Sequence, residues 1–227
     1  DFLDILRKRH ARFSKEIVPF LWYIREAKGE SAFVRKKATE ILSDFLGLPA
    51  ARLPLAKAAL TREAEKYYQH EVSFGDPRAV AIWRWDGNRV VQGWPGTPTV
   101  TASQAEEYYG QKFARQALLL DPTYRPAQLV SLSLLVDKAV EKAGPTAALS
   151  RTSPEVAELL ARANPELVIE MLDRAMKEKR SNVALAAVRT LGERAEVRSR
   201  TPTRGSEPAL FRALYYQDPR VQFAAAV

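Results

Sequence analysis

The chain has 227 residues, 35 Lys and Arg against 27 Asp and Glu for a net charge of +8, and no cysteine. That excludes a disulfide framework, a thiolate nucleophile and a zinc site built on sulfur. An apolar fraction of 46% is that of a globular chain, and no run of about 18 apolar residues, the length a membrane-spanning helix needs, is present.

Ala and Leu together fill 59 positions, and apolar residues recur at three and four, so the dominant expectation is helix. Phe2, Leu3, Ile5 and Leu6 open a short basic helix that carries Arg7, Lys8, Arg9, Arg12 and Lys15. Ser14 caps a second helix with Ile17, Phe20, Leu21 and Ile24 on one face, started or kinked by Pro19 and stopped at Gly29. Ser31 caps a third, carrying Phe33, Val34, Ala38, Ile41, Leu42, Phe45 and Leu46, ended by Gly47 and Pro49. A fourth runs from about Pro54 to Gln69.

Residues 73–100 change character. Val80, Ile82, Trp83 and Trp85 favour strand, Val90 and Val91 favour a second, and Asp86-Gly87-Asn88 lies between them, so a β-hairpin is expected near 79–94. Trp94, Pro95, Gly96 and Pro98 close this insert as a rigid loop. Helix resumes at Thr101 or Ser103, where Glu106 three residues after Ser103 suggests a capping box. It ends at Asp121-Pro122, and the next helix spans about Tyr124–Ala143 before Gly144-Pro145. Ser153-Pro154 and Asn164-Pro165 each open a helix, Asn182 caps residues 183–192, and an Arg-bearing loop at 193–205 leads to helical pieces at 207–216 and from Asp218-Pro219.

Asn182-Val183-Ala184-Leu185-Ala186-Ala187-Val188-Arg189-Thr190-Leu191-Gly192 and Asp218-Pro219-Arg220-Val221-Gln222-Phe223-Ala224-Ala225 share a Val followed three and four residues later by Ala, and Val34–Leu42 is a looser copy. This pattern resembles the second helix of HEAT repeats, although the Arg that follows Val in that family stands only at Arg35, with Ala184 and Gln222 elsewhere. Gly110, Ala114, Ala117, Leu118, Leu120, Asp121 and Pro122 are similar to the end of a tetratricopeptide repeat, with Tyr124 and Ala127 leading on. The resemblances imply an all-α fold, an α-solenoid of antiparallel helix pairs with one inserted hairpin. They divide the chain into HEAT-like helices at 1–72, the insert at 73–100, a tetratricopeptide-like pair at 101–150 and HEAT-like repeats at 151–227. A HEAT helix of the last kind runs on through Leu-Gly, which implies continuation beyond Val227.

No catalytic constellation stands out. His10 lies in a cationic run and His70 lacks the second His of a zinc-binding helix, so both are expected at the surface and no metal site or cofactor is expected. The pairs Glu106-Glu107 and Glu63/Glu65 do not share a helix face. The HEAT and tetratricopeptide families that the chain resembles mostly bind proteins or peptides, so the resemblance implies a non-catalytic scaffold that binds a protein or peptide. Nucleic-acid binding is the alternative, through the basic ends and an Arg-rich loop. Candidate binding residues are Trp83, Arg84, Trp85, Arg89 and Trp94 on the hairpin and Arg194, Arg198, Arg200 and Arg204 on the loop. The competing reading of the tryptophans is that they pack on the flanking helices. The absence of Cys fits cytoplasm and periplasm equally.

Overall fold

A computed structural model describes residues 17–85, 88–144, 147–194 and 208–227. The expected basic first helix, with Ser14 as the cap of the second, lies outside the described residues. Helix dominates, and the chain divides into two compact units, Asp1–Ser131 and Leu132–Val227.

In the first unit, α1 (Val18–Glu26) carries Pro19 in its first turn, where a missing N–H costs nothing, and buries Leu21 and Trp22. Ser31 Oγ accepts from Val34 N–H to cap α2 (Ala32–Leu46), whose Ala38, Ile41 and Leu42 are buried, and Gly47 ends it with φ +63°. A single 3-10 turn (Ala50–Arg52) precedes α3, which spans Ala56–Tyr68 rather than Pro54 to Gln69. Leu55 cannot cap α3, so α1 does: Glu26 Oε1 accepts from Ala56 N–H at 3.1 Å, and Arg25 donates to the Pro54 carbonyl at 2.9 Å. α3 closes in a Schellman arrangement, with Glu71 N–H bonded to Lys66 O and His70, φ +56°, in the left-handed position usually given to glycine. α1 packs on α2 and α3, and α3 on α4 (Ala102–Leu120).

The hairpin forms as β1 (Trp83–Trp85) and β2 (Val90–Gln92), antiparallel, in the register Trp83↔Gln92, Arg84↔Val91, Trp85↔Val90. Its base is drawn together by a Val80↔Val100 bridge. That extended stretch corrects the expected capping box. The chain stays extended through Thr101, and Thr101 Oγ1 accepts from Gln104 N–H while Gln104 Oε1 accepts from Thr101 N–H. Glu106 is instead buried, with its Oε2 2.9 Å from His70 Nδ1. His70 is exposed, as expected, and its bond to Glu106 ties the end of α3 to α4.

α4 ends where Asp121-Pro122 was expected to end it. Asp121 accepts from Thr123 N–H at 3.0 Å and from Lys57 Nζ at 2.6 Å, which fastens α3 to the end of α4. Those bonds hold its carboxyl down at about 2. α5 (Arg125–Ala143) begins in the first unit, where Gln111 and Ser131 exchange hydrogen bonds, and the division between units falls inside it. None of the segment boundaries drawn from the sequence marks that point.

In the second unit, a short α6 (Leu149–Thr152) precedes α7 (Pro154–Arg162), and α8 (Pro165–Lys177) is capped by Asn164 as expected. α9 (Ser181–Glu193) is not capped by Asn182: α8 ends in a left-handed residue, Lys179, and the helix restarts from Arg180 with no side-chain cap. Val183, Ala184, Leu185, Ala186, Ala187, Val188 and Leu191 are all buried, which makes α9 the core helix of the unit. α10 is shorter than expected, Ala209–Ala213, and α11 (Pro219–Ala226) is capped by Asp218. α8 packs on α9 and α10 on α11; between these pairs α8 meets α10 and α9 meets α11. An Arg212–Asp173 ion pair joins α10 to α8.

Candidate interaction site

The hairpin is held to α4 by small apolar residues and by tyrosines. Val80, Ile82, Val100 and Ala105 form a buried cluster, with Phe74, Ala102, Tyr108 and Tyr109 packed against it. The backbone of Trp83 then meets two phenols: Trp83 N–H donates to Tyr109 Oη at 3.3 Å, and Tyr108 Oη donates to Trp83 O at 3.1 Å. Main-chain groups turned away from β2 are thereby satisfied without a third strand.

This arrangement leaves the indoles of Trp83 and Trp94 partly in solvent. Trp83 is 52% and Trp94 46% exposed, whereas Ile82 is fully buried. The buried side chains at this end of the hairpin are Ile82 and Val80. Trp94 is presented by a tight loop in which Trp94 and Thr97 exchange backbone bonds, both 2.9 Å. Pro95 and Gly96, φ +78°, occupy the middle of that loop in the pattern of a type II turn. Gly93 before it has φ +68°, and a Cβ there would lie 2.2 Å from Thr97 O, so only glycine fits.

From the hairpin to α1 a row of half-buried side chains, with Trp94 exposed, combines aromatic and cationic character. Arg84 lies over Trp94 at 5.3 Å and donates from Nε to Gly93 O at 2.8 Å. Trp94 meets Tyr108 edge to face at 5.8 Å. Lys112, one helical turn beyond Tyr108 on α4, is placed 5.5 Å from the Tyr108 ring and 4.7 Å from that of Phe20 on α1. Below this row, Tyr67, Tyr109 and Phe113 stack inward, with Phe113 buried. Burial pushes the Tyr108 phenol up, Tyr109 adding to the shift and Arg84 opposing it. Burial alone pushes the Lys112 ammonium down. Among the described residues no carboxylate pairs with Lys112 or Arg84, which is unusual for a half-buried cation.

Of the sequence candidates, Arg84 and Trp94 come together here, and Trp83 is tied to the same tyrosines through its backbone. Arg89 is exposed at the far end of the hairpin, and Trp85 is paired with Val90 through its backbone, its side chain lying outside what is described. Arg194 does something else: its guanidinium donates to Ala163 O at 2.8 Å and so serves the carboxyl end of α7. Arg198, Arg200 and Arg204 lie outside the described residues. Lys112 and Phe20 were not singled out from sequence; the spacing of four between Tyr108 and Lys112 was the available signal for the first, and nothing local pointed to the second.

A second apolar surface lies in the C-terminal unit, a groove of about 870 Å³ lined by Val188, Leu210, Phe211, Leu214 and Phe223. Among the described residues no group of three His, Asp or Glu is arranged to hold a metal ion, and no helix is long and apolar enough to cross a membrane. No protein-family model, curated protein or solved structure matches the chain.

Proposed function

We propose that this protein is a non-catalytic interaction scaffold that binds a protein or peptide segment, with the aromatic and cationic row from Arg84 to Phe20 as its docking face. One observation carries the reading: two half-exposed tryptophans, Trp83 and Trp94, are held on a backbone locked by paired strands, a glycine-dependent turn and two tyrosine hydroxyls. Rigid, partly exposed aromatic side chains beside Arg are the residue types that dominate binding energy at protein interfaces, because little conformational freedom is lost on docking.

We propose in addition that the helices are stacked as in an α-solenoid of HEAT-like pairs. In its support, α8–α9 and α10–α11 meet first helix to first and second helix to second, with the small residues Ala184, Ala186 and Ala187 where α9 is most buried. The alternative, a nucleic-acid-binding protein, rests on the charge of +8; of its four loop arginines, Arg194 is engaged with α7.

Selection of a randomised peptide library on the immobilised full chain tests the function. The expected result is one enriched family of sequences whose binding is lost with Trp83→Ala plus Trp94→Ala, while the variant keeps its melting temperature. No enrichment, or enrichment indifferent to both substitutions, overturns it.

A further inference from the structure

We infer that the docking face is specific for acidic peptide segments, in which two carboxylates flank an apolar or aromatic residue. This rests on the interaction reading above and adds the chemistry of the ligand.

The argument starts from the two cations. Lys112 has lost part of its hydration to the rings of Phe20 and Tyr108, yet no carboxylate of the described residues repays that loss. Rings attract an ammonium through their negative faces, but they offer no hydrogen-bond acceptor of the strength that water supplies. The three N–H donors of Lys112 therefore have room for an external oxygen anion. Arg84 spends its Nε–H on Gly93 O and lies against Trp94. The remaining guanidinium donors make none of the described ion pairs, and a planar fork of this kind suits a carboxylate.

Position does the rest. The two cations flank one aromatic pair, Trp94 against Tyr108, and Trp94 is 46% exposed. A ligand that satisfies both charges brings an apolar side chain against the exposed part of Trp94 that Arg84 does not cover. Burying that side chain excludes water from the two ion pairs, and exclusion of water strengthens them. Tyr108 stays neutral and its hydrogen is committed to Trp83 O, so it adds no competing charge.

The same geometry argues against a nucleic acid on this face. Base stacking needs free ring faces. Here Arg84 lies over Trp94 and Lys112 over Phe20 and Tyr108, so the protein's own cations already sit on those rings. A basic peptide would meet two positive charges that no carboxylate of the described residues compensates.

The test uses the full chain and three fluorescein-labelled probes read by anisotropy: a short peptide alternating Glu with Phe, its counterpart with Lys in place of Glu, and a short oligodeoxythymidine. The acidic peptide is expected to bind, and to bind more weakly as salt rises from about 50 to 200 mM. Lys112→Gln and Arg84→Gln are each expected to weaken it about tenfold, the size of one lost charge-assisted contact. Lys112→Met, which refills the space between the two rings, keeps the variant folded and is expected to show the same loss. Equal affinity for the Lys peptide overturns acid specificity while leaving a peptide scaffold standing. Oligodeoxythymidine binding with the same losses overturns both readings. Failure of the acidic peptide to bind, or indifference to all three substitutions, overturns the inference alone if library selection still yields ligands.

Discussion

Two neighbouring residues on the hairpin, Ile82 and Trp83, divide the labour of packing and presentation. Ile82 is fully buried against Val80, Val100 and Ala105, while Trp83 is half exposed and is held by its backbone. Ile82→Ala should therefore cost about 2–5 kcal/mol, the range for a truncated core aliphatic. Trp83→Ala should cost well below the roughly 3–5 kcal/mol of a core tryptophan. Urea unfolding of the two variants checks this, and a larger loss from Trp83→Ala would return that residue to the core. The glycines allow a similar contrast. Gly47 and Gly93 are both left-handed, but open space surrounds Gly47, whereas a Cβ on Gly93 meets the Thr97 and Pro98 backbone. Gly47→Ala should cost the conformational penalty alone, about 1–2 kcal/mol. Gly93→Ala should cost more, because Trp94 and Thr97 must move apart, and near-ultraviolet circular dichroism of the indoles should change with it.

At the scale of elements, the ends of helices show what a sequence can and cannot specify. Ser31, Asn164 and Asp218 were readable as caps because each stands directly before a periodic run and nothing distant interferes. Thr101 and Ser103 were not separable, since both have a Glu or Gln three residues on. The choice is made by the Val80↔Val100 bridge, a contact across the whole insert that keeps the chain extended up to Thr101. Asn182 was misread for a comparable reason: the left-handed Lys179 sets where α9 restarts. Thr101→Ala should cost about 1 kcal/mol as a lost cap. Asn182→Ala should be neutral or slightly stabilising, since alanine has the better helix propensity within a helix. Thermal melts of the pair test both assignments, and equal losses would contradict them. The candidate site follows the same logic. Trp83, Arg84 and Trp94 were legible because a hairpin brings near neighbours together. Lys112 acquires its meaning only because α1 carries Phe20 to within 4.7 Å of it, and no local pattern encodes that approach.

For the whole molecule, each compact unit holds, among the described residues, one carboxylate drawn down to about 2: Asp121 by Lys57 and Thr123 in the first, Asp218 by Arg220 in the second. The sign follows from linkage. A carboxyl whose pKa is lower in the folded chain binds fewer protons there than in the unfolded chain, where it titrates near 3.9. Its contribution is complete above about pH 4 and is lost as pH falls toward 2. Both ion pairs remain partly exposed to solvent, so the acid limb should be shallow and should flatten further in high salt. The four tryptophans, at 22, 83, 85 and 94, all lie in the first unit, so indole emission during urea unfolding reports that unit while far-ultraviolet dichroism reports helices of both. Asp121→Asn should lower the emission midpoint near neutral pH and remove most of its fall between about pH 4 and 2. Asp218→Asn should do the same to the dichroism midpoint and leave the emission midpoint in place. If Asp218→Asn moves the emission midpoint equally, the two units unfold as one cooperative body, and the local assignment of each carboxylate to its own unit fails.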